Sequence, residues 1–245
     1  MTNSKLDRVM QFYRVDGSSR APVCFLTIED GGELKQEEFD QYISGKPEWI
    51  PQDHERPLCY ESVGLPGEFI SKIMVYAFAD VLGIDDWMEY RAKHLYDKNE
   101  CNLKFYPVGR QNTNTWQPWL ESKLGVSAGE YRIQCISERP AFFDSQCKEY
   151  LGADKLFVIL GARDEWSYVL RRYVFNSCYR TLQAEGDAGC VVTEKFEEST
   201  DKLLYACYSM FTWGNRSDDK LQKFARHLRK YTPKETLTAL TATES

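Results

Sequence analysis

Near-continuous apolar runs alternate along the chain with helical patterns of apolar and polar residues. Four runs predict strands that are buried on both faces, as in parallel sheets: residues 23–28, 102–108, 155–162 and 203–211. A further short strand is predicted over residues 189–193. Helical patterns occupy the segments 35–44, 66–83, 138–152, 163–175 and 217–231. This alternation predicts an α/β fold: a single domain with a mostly parallel, four- to five-stranded central sheet and helices on both faces.

The last predicted helix carries signals at both ends. Ser217 is a favourable N-cap residue, acidic residues follow it, and basic residues precede Tyr231, so the charges match the helix dipole. The residues beyond it show no comparable pattern, and we expect them to be loosely ordered. The sequence therefore predicts one α/β domain over residues 1–231 and a C-terminal tail over 232–245.

Composition supports a single domain and bears on location. With 245 residues, 42% of them hydrophobic, the chain can bury a substantial core. The charged N-terminus lacks the apolar stretch of a signal peptide or a membrane span, which predicts a cytoplasmic protein with no membrane partner. We also expect a monomer.

Cysteine spacing and net charge limit the kinds of metal site, cofactor and partner that we expect. None of the eight cysteines lies at the C-x-x-C spacing of zinc and iron–sulfur sites, so we expect reduced thiols, no metal and no cofactor. A net charge of −6 disfavours indiscriminate binding to a polyanion. The basic helix that begins near Lys220 could still contact phosphates, or could be an ordinary solvated face.

Candidate chemistry lies directly after the first long strand, in the sequence Glu29-Asp30-Gly31-Gly32. In open α/β sheets, ligands bind outside the carboxyl ends of the strands. One interpretation of this stretch is a turn in which the glycines adopt positive φ and an acid caps the next helix. The other is a carboxylate placed to polarise a water, with glycines that let a ligand approach the backbone.

The same stretch, "LTIEDGG" at 26–32, resembles motif I of the uracil-DNA glycosylase superfamily. Members of that superfamily end their first core strand with Gly-Gln-Asp-Pro-Tyr or Gly-Met-Asn-Pro-Gly, and a distant bacterial set has Gly-Met-Glu-Glu-Gly-Gly. Glu29 then takes the position of the water-positioning Asp or Asn, Asp30 that of Pro, and Gly31 that of Tyr or Gly. The resemblance implies a uracil-DNA glycosylase-like fold with Glu29 and Asp30 as catalytic residues.

The resemblance extends to two later strands. "NLKFYPVGR" (102–110) is similar to the second core strand, which in several families ends near an Asn that contacts the base edge, and "DKLFVILGARDEW" (154–166) is similar to a scaffold segment. In the segment 111–119, amides and indole rings could hold an extruded base, although Trp116 and Trp119 could equally close the core. The implied substrate-binding residues are Gly31, Gly32, Lys104, Tyr106, Gln111, Asn112, Asn114 and Trp116.

The chain departs from the family after the last strand. The family has His-Pro-Ser there, followed by a loop that enters the duplex, whereas this chain has "FTWGNRSDD" at 211–219 with no histidine. The donor to the departing base would then be Asn215, Arg216 or Lys104. Trp213, Asn215, Arg216 and Lys220 are the implied DNA-binding residues, with an ordinary surface loop as the other interpretation.

A second departure concerns the substrate. Where the uracil-specific motif has a Tyr that walls off C5 of the pyrimidine, this chain has Gly31. The resemblance therefore implies a DNA glycosylase that flips out and excises a C5-enlarged pyrimidine, for example glucosylated hydroxymethylcytosine of phage DNA, in repair or antiviral defence. The alternatives are a uracil or thymine repair glycosylase, a hydrolase of a free nucleoside or nucleotide, and a non-catalytic binder of modified DNA or of a protein partner.

Overall fold

The computed structural model describes most of the α/β framework of the chain. The described residues are 4–11, 13–27, 36–44, 48–49, 65–108, 117–146, 155–160, 181–183, 189–194, 204–208 and 217–242. The strands within these ranges are β1 (Tyr13–Asp16), β2 (Val23–Thr27), β3 (Glu48–Trp49), β4 (Glu100–Lys104), β5 (Leu156–Leu160), β6 (Thr181–Gln183), β7 (Gly189–Glu194) and β8 (Leu204–Tyr208).

The described strands form one mixed sheet of eight strands in the order β3-β1-β4-β2-β5-β8-β7-β6. The four central strands, β4, β2, β5 and β8, are parallel to one another. Strand β1 is antiparallel to β4, and β7 is antiparallel to both β8 and β6. The prediction of an α/β sheet with a parallel centre is confirmed, but the sheet is wider and less uniformly parallel than the predicted four to five strands.

The helices in the described ranges cover both faces of this sheet. They are α1 (Ser4–Met10), α2 (Gln36–Ser44), α3 (Leu65–Leu82), α4 (Trp87–Lys93), α5 (Pro118–Leu124), α6 (Ala128–Gln146), α7 (Asp218–Tyr231) and α8 (Lys234–Ala242). The helix predicted over 163–175 lies outside the described residues. Within the described ranges, no helix combines the length and apolar character that crossing a bilayer requires.

Two apolar cores lie on opposite faces of the sheet, because successive side chains of a strand point to opposite sides. Cys24 and Leu26 of β2 contribute to one core, which we call the first face, together with residues of α1, α2, α5 and α6. Val23 and Phe25 contribute to the other core, the second face, with α3, α4, α7 and α8. The observed architecture is therefore a sheet between two helical layers.

Helix α6 begins ten residues before the predicted start at 138 and is described as far as Gln146, while the rest of the predicted span, 147–152, lies outside the described residues. Its N-terminus is a capping box: the Ser127 amide donates to Glu130 Oε2 at 2.8 Å, and the Glu130 amide donates to Ser127 Oγ at 3.3 Å. Pro140, a residue typical of helix starts, lies in the interior of this helix. The capping box is the better guide to where the helix begins.

The C-terminal tail differs from the loosely ordered segment we expected, because residues 234–242 form helix α8. Leu240 is fully buried and belongs to the second-face core, and Thr236 is buried beside it. Thr232 Oγ1 donates to the carbonyl of Leu228 at 2.7 Å, which fixes the chain between α7 and α8. With few apolar positions, this short helix gives only a weak amphipathic pattern in the sequence.

Leu240→Ala tests whether α8 is an integral part of the domain. Deleting a buried leucine side chain costs about 2–5 kcal/mol where the surroundings cannot collapse, so we expect a loss of that order in the free energy of unfolding. Denaturant titration measures it. The control is Thr238→Ala on the exposed side of α8, which should change stability by less than about 0.5 kcal/mol. Equal stability of Leu240→Ala and wild type would contradict the docking of α8.

Candidate functional site

The topology of the sheet marks one edge as the place for a ligand. From β2 the chain runs through β3 at one edge of the sheet to β4, and from β5 it runs through β6 and β7 at the other edge to β8, on the opposite side of the β2–β5 pair. Where connections diverge in this way, the segments after the two strands separate and leave a crevice at their carboxyl ends. The carboxyl ends of this pair are Thr27 and Leu160.

Most of the predicted site residues follow β2, β4 or β8 in the sequence but lie outside the described residues. This applies to Glu29, Asp30, Gly31, Gly32, Gln111, Asn112, Asn114, Trp116, Trp213, Asn215 and Arg216. Their proposed roles stay predictions. Lys104, Tyr106 and Lys220 lie in the described part of the chain.

Strand β4 carries a buried polar row on the second face of the sheet. Glu100, Asn102 and Lys104 alternate along the strand and are exposed by 0%, 0% and 4%. Cys101 and Leu103, between them, belong to the apolar first-face core. A central strand of a parallel sheet is usually apolar on both faces, and buried polar groups destabilise the fold unless they are paired. The hydrogen-bond and ion-pair partners of Glu100, Asn102 and Lys104 therefore determine what this row costs the fold in stability.

Lys104, at the carboxyl end of β4, is paired with Asp16 at the end of β1. Its Nζ lies 3.3 Å from Asp16 Oδ2, with side-chain exposures of only 5% and 15%. We assign the Asn102 amide so that its Oδ1 accepts from Lys104 Nζ at 2.6 Å, because the opposite orientation would set an N–H group against the ammonium. The ammonium thus lies between a carboxylate and an amide oxygen. Lys104 is therefore a buried cation that is paired within the fold, rather than a cation exposed at the surface.

The same amide ties β4 to β2. Asn102 Nδ2 donates to Thr27 Oγ1 at 3.0 Å, and Oδ1 also accepts from the Tyr96 hydroxyl at 3.3 Å. The Phe105 amide donates to the carbonyl of Thr27 at 2.8 Å, directly beyond the paired residues Thr27 and Lys104. The last residue of β2, after which the Glu29 segment begins, is therefore held by side-chain and main-chain bonds.

Glu100 begins the polar row and is bonded to two tyrosines. The Tyr90 hydroxyl donates to Glu100 Oε2, and the Tyr96 amide donates to Oε1 at 2.7 Å. Burial, followed by the adjacent Glu100 carboxylate, raises the pKa of Tyr90 well above its usual value near 10. Tyr96 has a φ of +61°, a left-handed conformation that aims its amide at the carboxylate.

Arg139 of α6 binds the end of β4 from the first face. This fully buried guanidinium donates from Nη2 to the carbonyl of Lys104 at 3.3 Å, from Nε to Phe105 at 2.9 Å and from Nη1 to Met10 at 2.8 Å. It also lies 4.7 Å from the ring centroids of Phe142 and Phe143. Arg139 thereby fixes the main chain where it leaves β4.

Tyr106 and Lys104 lie on opposite faces of the sheet, and Lys220 belongs to a separate element, α7. Tyr106 is 2% exposed and lies in the first-face core, 6.0 Å from the Tyr131 ring. Lys220 lies in the first turn of α7, whose basic surface includes ion pairs: Lys223 Nζ is 3.0 Å from Asp219 Oδ2, and Arg229 Nη2 is 2.7 Å from Asp80 Oδ2. These acids reduce the positive charge available to phosphates.

Sequence analysis missed the polar row because it placed the second strand at 102–108, whereas β4 spans Glu100–Lys104. The alternation Glu-Cys-Asn-Leu-Lys is a period-2 pattern, and it is the signal that could have revealed the row. Asp16 and Arg139 had no such signal, since only the fold brings them beside β4. Gln117, also missed, is buried at the start of α5.

A scan against protein-family models found no match, and neither did searches of curated proteins and of solved structures. The interpretation of the site therefore depends on its own residues and geometry.

Lys104→Met tests the internal ion pair. Removing one partner of a buried pair leaves an uncompensated charge, here on Asp16, and should lower the free energy of unfolding by about 3 kcal/mol. Adding Asp16→Asn should recover part of the loss, so the double variant costs less than the sum of the single variants in denaturant titration. Lys93→Met, which breaks the exposed pair with Glu89, is the control and should cost less than about 1 kcal/mol. Additive losses would contradict coupling between Asp16 and Lys104.

The raised pKa of Tyr90 predicts a loss of stability in alkali. The unfolded chain releases this proton near pH 10 while the folded protein retains it, so stability is complete below pH 10 and falls as the pH rises towards the folded pKa. Tyr90→Phe should make the decline between pH 10 and 11 shallower by up to about 1.4 kcal/mol per pH unit, measured by urea titration at each pH. Parallel declines in wild type and Tyr90→Phe would show that Tyr90 ionises normally.

Proposed function

We propose that this protein is a DNA glycosylase that extrudes a modified pyrimidine and hydrolyses its N-glycosidic bond. One observation carries the proposal: Glu29 and Asp30 follow Thr27, the last residue of β2, where the connections of β2 and β5 diverge. The uracil-DNA glycosylase-like fold belongs to the proposal. It is supported by a central parallel sheet in which the predicted first, second, third and last core strands are β2, β4, β5 and β8.

In the proposed reaction, the extruded nucleotide occupies the crevice at this edge, and the cost of extrusion is offset by stacking and polar contacts. Water attacks C1′ of the deoxyribose as the bond between C1′ and the base breaks. Glu29 orients the water, accepts its proton and stabilises the oxocarbenium-like sugar. The base leaves as an anion that then takes a proton. Asp30 supports the turn or assists Glu29.

Negative charge on the leaving base requires a donor. Lys104 is already engaged by Asp16 and Asn102, so we assign it to holding the ends of β2 and β4 rather than to contacting the base. Asn215 or Arg216, which follow the last core strand in the sequence, is the proposed donor. Gln111, Asn112, Asn114 and Trp116 are the proposed contacts to the base.

The proposed substrate is DNA with a pyrimidine enlarged at C5, because Gly31 stands where the uracil-specific motif has a tyrosine. A second candidate is a non-catalytic binder of modified DNA. The segment after the last predicted core strand, residues 211–219, has no histidine to serve as donor to a leaving base, and this favours the non-catalytic candidate. Base release separates the two candidates.

Glu29→Gln should reduce base release by at least about 10²-fold, because an amide cannot accept the proton of the attacking water. The assay incubates the protein with duplexes containing uracil, a G·T mismatch, 5-hydroxymethylcytosine or its glucosylated form, and follows free base and alkali-labile sites. The affinity for the same duplexes should change little.

Glu37→Gln on the exposed surface of α2 is the matched control and should retain full activity. A Glu29→Gln protein with wild-type turnover would exclude Glu29 from the chemistry. DNA binding without base release by wild type would favour the non-catalytic candidate.

A further inference from the structure

Two cysteines lie opposite each other on neighbouring strands towards one edge of the sheet. Cys190 of β7 and Cys207 of β8 are paired in register, and the two strands run antiparallel. These residues are distant in the sequence and form no short cysteine motif, so only the strand pairing brings them together. The fold therefore creates a cysteine pair that the spacing of cysteines along the chain does not reveal.

The register gives this pair the separation that a disulfide requires. Residues directly opposite each other in an antiparallel pair have Cα atoms about 4.5 or 5.5 Å apart, depending on their place in the hydrogen-bond pattern. Disulfides span Cα separations of about 4.4–6.8 Å, so either place is compatible with one. Directly opposed residues also belong to the same face of the sheet, because side chains alternate along each strand. The strand pairing as it stands therefore allows a disulfide between these two positions.

Strand alternation places both cysteines on the first face of the sheet. Ala206 and Tyr208, the neighbours of Cys207 in β8, belong to the second-face core. Ile159, the register partner of Cys207 in β5, belongs to the first-face core. Among the described strands, only the three-residue edge strand β6 lies beyond β7. Strands near an edge open at a lower free energy than the centre of a sheet, so reagents reach thiols there more readily.

A second register pair of cysteines lies at the centre of the sheet. Cys24 of β2 is paired with Cys101 of β4, and these strands are parallel. Both residues are 0% exposed, both belong to the first-face core, and neither forms a disulfide. An oxidant reaches these thiols only when the core opens. The central pair is therefore an internal control for the pair near the edge.

We propose that Cys190 and Cys207 form a reversible disulfide when the protein is exposed to hydrogen peroxide. The bond covalently links β7, and with it β6, to the parallel centre of the sheet. This modification site does not depend on the proposed glycosylase activity.

The oxidation proceeds in two steps. The thiolate of one cysteine attacks an oxygen of the peroxide, the O–O bond breaks, and after proton transfer the products are a sulfenic acid and water. The second thiol then displaces the hydroxyl group from that sulfur, so the S–S bond forms and a second water leaves. Two thiols and one hydrogen peroxide thus give one disulfide and two waters. A dithiol reverses the reaction by exchange and is itself oxidised to a cyclic disulfide.

The experiment treats the folded, full-length protein with hydrogen peroxide, blocks the remaining thiols by alkylation, and maps linked tryptic peptides by mass spectrometry without reductant. Trypsin leaves each cysteine of the two register pairs in a peptide of its own: Cys190 in 181–195, Cys207 in 203–216, Cys24 in 21–35 and Cys101 in 99–104. Each possible link therefore gives a distinct pair of peptides.

The test variants are Cys190→Ser and Cys207→Ser. The matched control is Cys178→Ser, which removes the cysteine nearest to Cys190 in the sequence. The melting temperature of each protein is measured before and after oxidation.

Oxidised wild type should contain the link between 181–195 and 203–216. This link should be at least about tenfold more abundant than the link between 21–35 and 99–104, because the central pair reacts only through opening of the core. A dithiol should remove it, both test variants should lack it, and Cys178→Ser should retain it. Oxidation should raise the melting temperature of wild type by about 5–10 °C, since a disulfide restricts the unfolded chain, and should not raise that of Cys190→Ser.

Three results would overturn the proposal. The first is the absence of the linked peptides after oxidation of the folded protein. The second is that Cys190 or Cys207 is linked mainly to a different cysteine. The third is an oxidised wild type whose melting temperature is not raised, which would show that the bond forms only outside the native strand pairing.

Discussion

The carboxyl edge of the sheet depends on how Lys104 is held from both faces. On the second face its ammonium lies 3.3 Å from Asp16 and 2.6 Å from the Asn102 amide oxygen. On the first face its carbonyl accepts from the buried guanidinium of Arg139 at 3.3 Å. Because Lys104 of β4 pairs in register with Thr27 of β2, these contacts fix the carboxyl ends of both strands side by side. The proposed site begins at Glu29, two residues after Thr27, directly beyond the positions that these contacts fix.

The charged groups of this frame have partners within the fold. Lys104, Asp16 and Glu100 are engaged by partners inside the fold, where breaking a pair is costly. Gln117, by contrast, is buried without a partner among the described residues. Pairing of the charged groups determines the shape of this edge of the sheet.

Long apolar runs and strong helical patterns predicted the centre of the fold. The strands β2 and β5 and the helices α3 and α7 were predicted nearly to the residue because burial dictates their composition. The outer strands β1 and β6 were missed, since three or four residues are too few for a period to appear. Helix α8 was missed because tertiary contact at Leu240, rather than a strong local pattern, orders it.

The candidate site was predictable only where chemistry follows a strand directly. Glu29 and Asp30 were identified because two acids after a buried strand are unusual, and Lys104 because the resemblance to the second core strand placed it nearest the base-contacting Asn. Two of the partners of Lys104, Asp16 of β1 and Arg139 of α6, are distant in the sequence, so no spacing predicts their contacts with it. The sequence also could not predict that the Gln117 amide is buried without a hydrogen-bond partner, because both properties depend on the folded structure.

Photo-cross-linking with DNA that carries 5-iodouracil, a pyrimidine enlarged at C5, tests the central claim that a base enters the carboxyl edge between β2 and β5. Irradiation followed by peptide mass spectrometry identifies the residues that contact the base. The account predicts cross-links within the segments that follow β2 and β4, at residues 28–35 or 109–117. Cross-links confined to α7, or to the opposite edge of the sheet at residues 17–22 and 94–99, would contradict it.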